Sequence, residues 1–167
     1  MLYLIVVPTS KVHWVMKIKI LALTGIRSEY DILYPVLKEL KKNFLIGLVV
    51  TGAHLKKKFG FTFKEILKDK LKIIGKIDNL KNGNKLHHRA MGIPKQVKDL
   101  INVSIRFNPT YFLVVGDREE SIVAAIVATY LQIPLIHIGG GDRVVGNIDD
   151  HVRHAVSKLA HLHFVNN

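Results

Sequence analysis

The chain of 167 residues is 49% hydrophobic and 23% charged, a balance that excludes a disordered or collagen-like polypeptide and suits one domain with a substantial buried core. Cysteine is absent, which removes disulfides, thiolate metal sites and thiol catalysis. The formal net charge of +12 suits an anionic partner, but the lysines cluster in short solvated stretches such as Lys56 to Lys58 and Lys64 to Lys72, so charge alone selects no function.

The opening MLYLIVV is apolar but is broken by Pro8 and has no basic leader. It falls far short of the roughly 20 residues that span a bilayer, so neither a signal peptide nor an anchor is expected. Residues 1–15 read as an extension, and the domain is expected over 16–167, opening on MKIKILALTG. Short β-rich apolar runs follow at 18–23, 44–50, 111–115 and 135–138, bounded by Gly, Thr or Asp, and these read as buried parallel strands. Between them, 30–40, 63–67, 93–105, 119–131 and 149–159 space apolar residues by three and four, as helices covering a sheet do. Lys76 to Lys85, with Asn79, Asn82, Gly83 and Asn84, reads as a loop, which would place His87 and His88 in a polar loop region. Alternating strands and helices joined by right-handed crossovers give an α/β fold with a doubly wound, Rossmann-like parallel sheet. Ligands of such sheets bind at the carboxyl ends of the strands.

Four strand-end loops carry polar chemistry. After the first strand, Thr24-Gly25-Ile26-Arg27 turns into a helix with a guanidinium at its mouth, an arrangement suited to an anion. It lacks GxGxxG, which disfavours NAD. After the second strand, His54 of Thr51-Gly52-Ala53-His54 is a candidate phosphate donor or a backbone-bonded turn residue. After the third, Gly116-Asp117-Arg118 sets a carboxylate and a guanidinium before an apolar helix, where Asp117 either serves a site or caps the helix. After the fourth, Gly139, Gly140, Gly141 and Asp142 permit close backbone approach to a ligand, or form a flexible turn. A helix then starts at Asn147 or Asp149, and Asp149 lies one turn before Arg153 on the same face.

Read together, TGIRSEYDILYPVLKEL, VVTGAHL with FGFT, VVGDREE, IPLIHIGGGD and GNIDDHVRHAVSKLAHLHFV resemble the hydrolysing UDP-N-acetylglucosamine 2-epimerases of sialic acid and related sugar biosynthesis. The resemblance runs from Met16 to the last residues and matches the N-terminal half of that family. It implies one of the two Rossmann-like halves of a glycosyltransferase B-type architecture. The implied reaction is elimination of UDP from UDP-N-acetylglucosamine followed by hydration to N-acetylmannosamine, without a cofactor or metal. By resemblance, Asp117 and Asp149 stand where the family has catalytic carboxylates and Arg153 where it has an active-site arginine. Arg27 and Arg118 stand near the expected diphosphate, and His54, Gly140 and Gly141 join them as expected substrate-binding positions. Where some members carry a catalytic glutamate after the HI motif, this chain has Gly139.

The family supplies most nucleotide contacts and a catalytic histidine from its C-terminal half, so a separately encoded half is an expected partner, as is a second copy of the chain in a homodimer. The alternative is a truncated or non-catalytic nucleotide-sugar-binding module. A cytoplasmic location is expected. A nucleic-acid module is disfavoured because the lysines lack interleaved aromatics. A metal hydrolase built on His151, His154, His161 or His163 lacks coherent ligand spacing.

Overall fold

The computed structural model describes residues 17–80, 85–141 and 146–165. The expected extension 1–15, Asp142 and the Asn82-Gly83-Asn84 part of the expected loop lie outside these residues. Six strands, β1 (Lys19–Thr24), β2 (Leu45–Thr51), β3 (Ile73–Ile77), β4 (Tyr111–Val115), β5 (Leu135–Ile138) and β6 (Leu162–Phe164), form one sheet. Its order is β3-β2-β1-β4-β5-β6, and every adjacent pair is parallel. The central strands are buried nearly along their whole length, as strands covered on both faces must be, which explains their largely apolar sequences.

The helices are α1 (Arg27–Leu40), α2 (Phe63–Lys68), α3 (Leu86–Phe107), α4 (Glu119–Tyr130) and α5 (Ile148–Leu159). Tyr30, Leu33 and Leu37 of α1 and Phe63 and Ile66 of α2 pack on one sheet face. Leu100 and Val103 of α3, the Val123–Ala128 stretch of α4 and Val156 of α5 pack on the other. The alanines of α4, Ala124, Ala125 and Ala128, are essentially fully buried, and their small side chains let this helix lie close to the strands. On the α1 face an apolar hollow of about 630 Å³ remains, lined by residues such as Ile20, Leu113, Ile136 and Phe164.

Two strands depart from the sequence reading. Residues 73–77 form β3, which takes Lys76 and Ile77 out of the expected loop. The short β6 pairs with β5 through Ile136–Leu162, His137–His163 and Ile138–Phe164. Helix α3 begins at Leu86, so His87 and His88 occupy its first turn rather than a loop.

The topology places one crevice. Strands β1 and β4 are neighbours, but α1 leaves β1 toward one face and α4 leaves β4 toward the other. Their loops therefore diverge at the carboxyl edge, where doubly wound sheets bind ligands.

Candidate functional site

At this crossover Ser28, Glu29, Asp117, Arg118, Gly139 and Arg153 line a cavity of about 230 Å³. Asp117 does not cap α4. The N-cap position is Arg118, without a side-chain cap bond, and the Asp117 carboxylate pairs instead with the Arg153 guanidinium of α5. Arg153 is largely buried, so the pair is screened from solvent far more than a surface ion pair. It ties the end of β4 to the second turn of α5.

Asp149 faces a neighbouring cavity of about 350 Å³, which it lines with Arg89 and Glu119. Helix α5 starts where expected, with the Asn147 side chain accepting from the Asp149 N–H at 3.3 Å. Asp149 is 3.6 Å from Arg89, whose Nε donates to Glu119 at 2.7 Å. Glu119 in turn is 3.4 Å from Arg118. Asp117 and Asp149 thus line separate cavities with no lining residue in common, linked through the charged series Arg118, Glu119 and Arg89. Burial pushes the Glu119 carboxyl up, but the Arg89 hydrogen bond and the Arg118 charge outweigh it and hold the group below its ordinary value.

Arg27 and His54 meet in a third pocket, beside Tyr30 and Asp69. The Arg27 side chain is exposed and 3.7 Å from Asp31. His54 is 1% exposed, with Nε2 3.1 Å from the Thr24 hydroxyl and Nδ1 2.6 Å from the Thr62 hydroxyl. Burial lowers it to about 4, so it is neutral near pH 7 and both nitrogens are engaged. Its role in this geometry is to tie the ends of β1 and β2 to α2.

Gly140 and Gly141 follow β5. A Cβ at Gly140 would come within 2.8 Å of the Ser157 hydroxyl and 3.0 Å of His137 Nδ1, so only glycine admits this packing of loop on α5. His137 is fully buried and its Nε2 lies 2.7 Å from the Gly116 carbonyl, which it can reach as an N–H donor. Gly141, with φ of 86°, is exposed at the lip of the loop.

Sequence reasoning missed Arg89, Glu119, Glu120 and Glu29. Glu120 is 2% exposed, and neither carboxyl oxygen has a hydrogen-bond partner among the described residues. A Cβ on Gly25 would lie 2.2 Å from its Oε1 and one on Gly52 2.4 Å away, so the ends of β1 and β2 leave the space it fills. Burial first, then the Glu119 charge, pushes Glu120 up to about 7. Glu29 is also buried and accepts from the Gly25 N–H at 3.3 Å; burial and the Glu120 charge push it well above the ordinary carboxylate range. The VVGDREE motif contained Glu119 and Glu120, but two acids opening a helix are ordinarily explained by its dipole.

The arrangement offers a carboxylate paired with a guanidinium, a second carboxylate on a separate hollow and a further arginine at the crevice. Such a set can move a proton and stabilise an anionic leaving group. Among the described residues no helix is long and apolar enough to cross a membrane.

Comparison with known proteins bears on the family and the fold. Two curated relatives are the hydrolysing UDP-N,N'-diacetylbacillosamine 2-epimerase of Legionella pneumophila, 39% identical over 152 residues (88% of this chain, 39% of the relative), and the GDP/UDP-N,N'-diacetylbacillosamine 2-epimerase of Campylobacter jejuni, 34% identical over 151 residues (89% of this chain, 39% of the relative). The chain therefore spans about two fifths of their length. The UDP-GlcNAc 2-epimerase of Neisseria meningitidis, solved bound to UDP-GlcNAc, superposes with a TM-score of 0.76 at 24% identity, covering 89% of this chain and 40% of that one. These likenesses place the fold as one Rossmann-like half of a glycosyltransferase B-type architecture. The family described as UDP-N-acetylglucosamine 2-epimerase matches residues 38–167, and the chain belongs to that family.

Proposed function

We propose that this chain is the N-terminal half of a hydrolysing 2-epimerase that acts on a UDP-linked 2-acetamido sugar, with UDP-N-acetylglucosamine and UDP-N,N'-diacetylbacillosamine as the leading candidates. The observation that carries the reading is the Asp117–Arg153 pair at the β1/β4 crossover, with Arg118 on the same cavity.

In the proposed reaction a carboxylate takes the C2 proton as the C1–O bond to UDP breaks, and the electron pair of the C2–H bond becomes the C1=C2 double bond. Water then adds its oxygen to C1, and a proton returns to C2 on the opposite face, which inverts that centre. The C2 hydrogen is weakly acidic, so proton removal and departure of UDP must be coordinated, and cations must meet the charge that develops on the diphosphate. Asp117 and Asp149 are the proposed acid/base partners. Arg153 holds Asp117 in position, and Arg118 lines the same cavity as a second cation. Arg27 is proposed to reach the diphosphate from its exposed position at the start of α1.

The reading assigns the remaining nucleotide contacts to the C-terminal half of the family's two-domain architecture. The test mixes this chain with a folded C-terminal half from a relative and follows UDP release from both nucleotide sugars. UDP release that depends on both halves and on Asp117 is expected. Absence of release from a mixture in which both halves are folded and associated would leave the alternative, a nucleotide-sugar-binding module without turnover.

A further inference from the structure

Two carboxyls that the proposed reaction does not use face one another around Gly25. Glu29, in the first turn of α1, accepts from the Gly25 N–H through Oε2, and its Oε1 has no partner. Glu120, in the first turn of α4, presses its own Oε1 into the space a Cβ of Gly25 would occupy, and both of its oxygens are unpartnered. The two residues come from helices on opposite faces of the sheet and meet only because the β1/β4 crossover brings their starting turns together.

The charged groups around them do not balance. Glu120 faces Glu119 of its own helix, Arg118 just before it, Arg89 of α3 and Glu29 of α1. Glu29 faces Arg118 and Asp117 as well as Glu120. Arg89 is occupied by Glu119 and Asp149, and Arg153 pairs with Asp117. The remaining nearby cation for both carboxyls is Arg118, whose Nη2 also donates to Glu119 at 3.4 Å. Its Nε is 3.6 Å from Glu120 Oε2, too far for a hydrogen bond, and is itself buried without a partner. Two ionised carboxylates buried close together repel strongly, and retaining one proton is the low-energy solution.

We propose that Glu29, at the wall of the crevice, and Glu120 beside it form a proton-sharing pair, holding one proton in the absence of ligand and thereby setting how far the Arg118 guanidinium is available to an incoming anion. With the proton in place, Arg118 faces Glu119 and a single charge from the pair, and more of its field is left for the cavity it lines. With the proton lost, both carboxylates of the pair join Glu119 in competing with the ligand for the same guanidinium. Anion binding at Arg118 is therefore coupled to proton retention. The anion class is the diphosphate of the proposed substrate, and to that extent the inference rests on the function proposed above; the proton itself does not.

Two measurements test it. The first is infrared spectroscopy of the full chain with carbon-13 in its glutamate carboxyls, reading the C=O stretch of a protonated acid. The wild type is expected to show this band at pH values where exposed glutamates are ionised, and Glu120→Gln and Glu29→Gln should each move its disappearance to lower pH. A folded wild type without the band, or a band that neither variant moves, would overturn the proposal. The second measurement is affinity for sulfate, which does not titrate in this range, across about pH 6 to 8. Wild-type affinity is expected to weaken by up to about tenfold per pH unit as the proton is lost, and Glu120→Gln should flatten that slope and bind more tightly at the upper end. Equal slopes in the two proteins would remove the coupling to Arg118. Should both results hold for sulfate while UDP does not bind, the proton pair stands and the nucleotide-sugar reading falls.

Discussion

The Asp117 carboxylate and the Arg153 guanidinium are joined across 36 positions of sequence, linking the end of β4 to α5 at the lip of the crossover crevice. The link fixes the carboxylate's position, and it also makes each partner costly to remove, because the survivor stays in a largely desolvated place.

Arg153→Met is accordingly expected to destabilise the fold by about 3 kcal/mol. Asp117→Asn, which keeps the shape and a weaker hydrogen bond, should cost less stability yet lower UDP release in the reconstituted mixture by about 10²- to 10⁴-fold. Chemical denaturation of the two single variants and the double variant gives the coupling energy. A double variant whose loss equals the sum of the singles would show that the two side chains do not interact.

Arg89 acts at the second hollow. Its Nε–H donates to Glu119, which is 7% exposed on its side chain, and the guanidinium also approaches Asp149. Arg89→Met removes the main partner of Glu119, and a cost of about 2 kcal/mol is expected. Adding Glu119→Gln to the same chain should recover part of that loss, because the buried group left behind is then neutral. Recovery is read as a shift in the urea midpoint, and no recovery would mean that Arg89 stabilises through packing of its stem.

The contact of Gly25 with Glu120 predicts a compensating pair of substitutions. Gly25→Ala places a methyl 2.2 Å from Glu120 Oε1, and since that carboxyl is enclosed the expected penalty is about 1–3 kcal/mol. Glu120→Ala vacates the space, so the combined variant should tolerate alanine at position 25 better than the wild-type background does. Gly25 does not have a positive φ, so the penalty comes from crowding and the second substitution can relieve it. Thermal unfolding of the four proteins reads the interaction directly.

These contacts show what local sequence conveys and what it does not. The strands flanking the crevice were legible because the ILAL run inside KILALT and the whole of YFLVV are unbroken apolar stretches, the mark of strands covered on both sides. IIGKI was not, since Gly75 and Lys76 break its pattern and it is the edge strand. LHF is three exposed residues, too short for any alternation to register. At the site, Asp117, Asp149 and Arg153 were found as polar residues at strand and helix ends, but which carboxylate would meet which arginine depends on how α3, α4 and α5 converge. Glu120 was hidden for a related reason: a glutamate opening a helix is usually solvated, and only the glycines ending β1 and β2 reveal that this one is enclosed.

The buried glutamates also set the alkaline side of stability. A carboxyl raised in the folded state binds its proton more tightly there than when unfolded, so the stability it contributes is complete below its ordinary value of 4.5 and is lost as pH rises through its folded value. For Glu120 the window runs from 4.5 to about 7. Over that window Glu120→Gln should gain on the wild type by on the order of 3 kcal/mol. A constant difference across the window would contradict the raised value. Urea midpoints taken through the range provide the reading.

The acid side belongs to His54. Its folded value is lowered from 6.5 to about 4 by burial, so the neutral ring favours the folded state above 6.5, and this contribution is lost as pH falls toward about 4 and the unfolded chain takes up the proton first. His137, lowered chiefly by burial, acts in the same sense. Stability should therefore fall on both sides of a maximum near the middle of the 4.5 to 7 range spanned by Glu120. His54→Gln can retain a hydrogen bond to one of the flanking hydroxyls of Thr24 and Thr62 while removing the titration. This variant should be less stable than the wild type near pH 7, where its packing is inferior, but should lose less on acidification. If its acid limb is as steep as that of the wild type, His54 is not the group that charges, and His137 becomes the residue to substitute next.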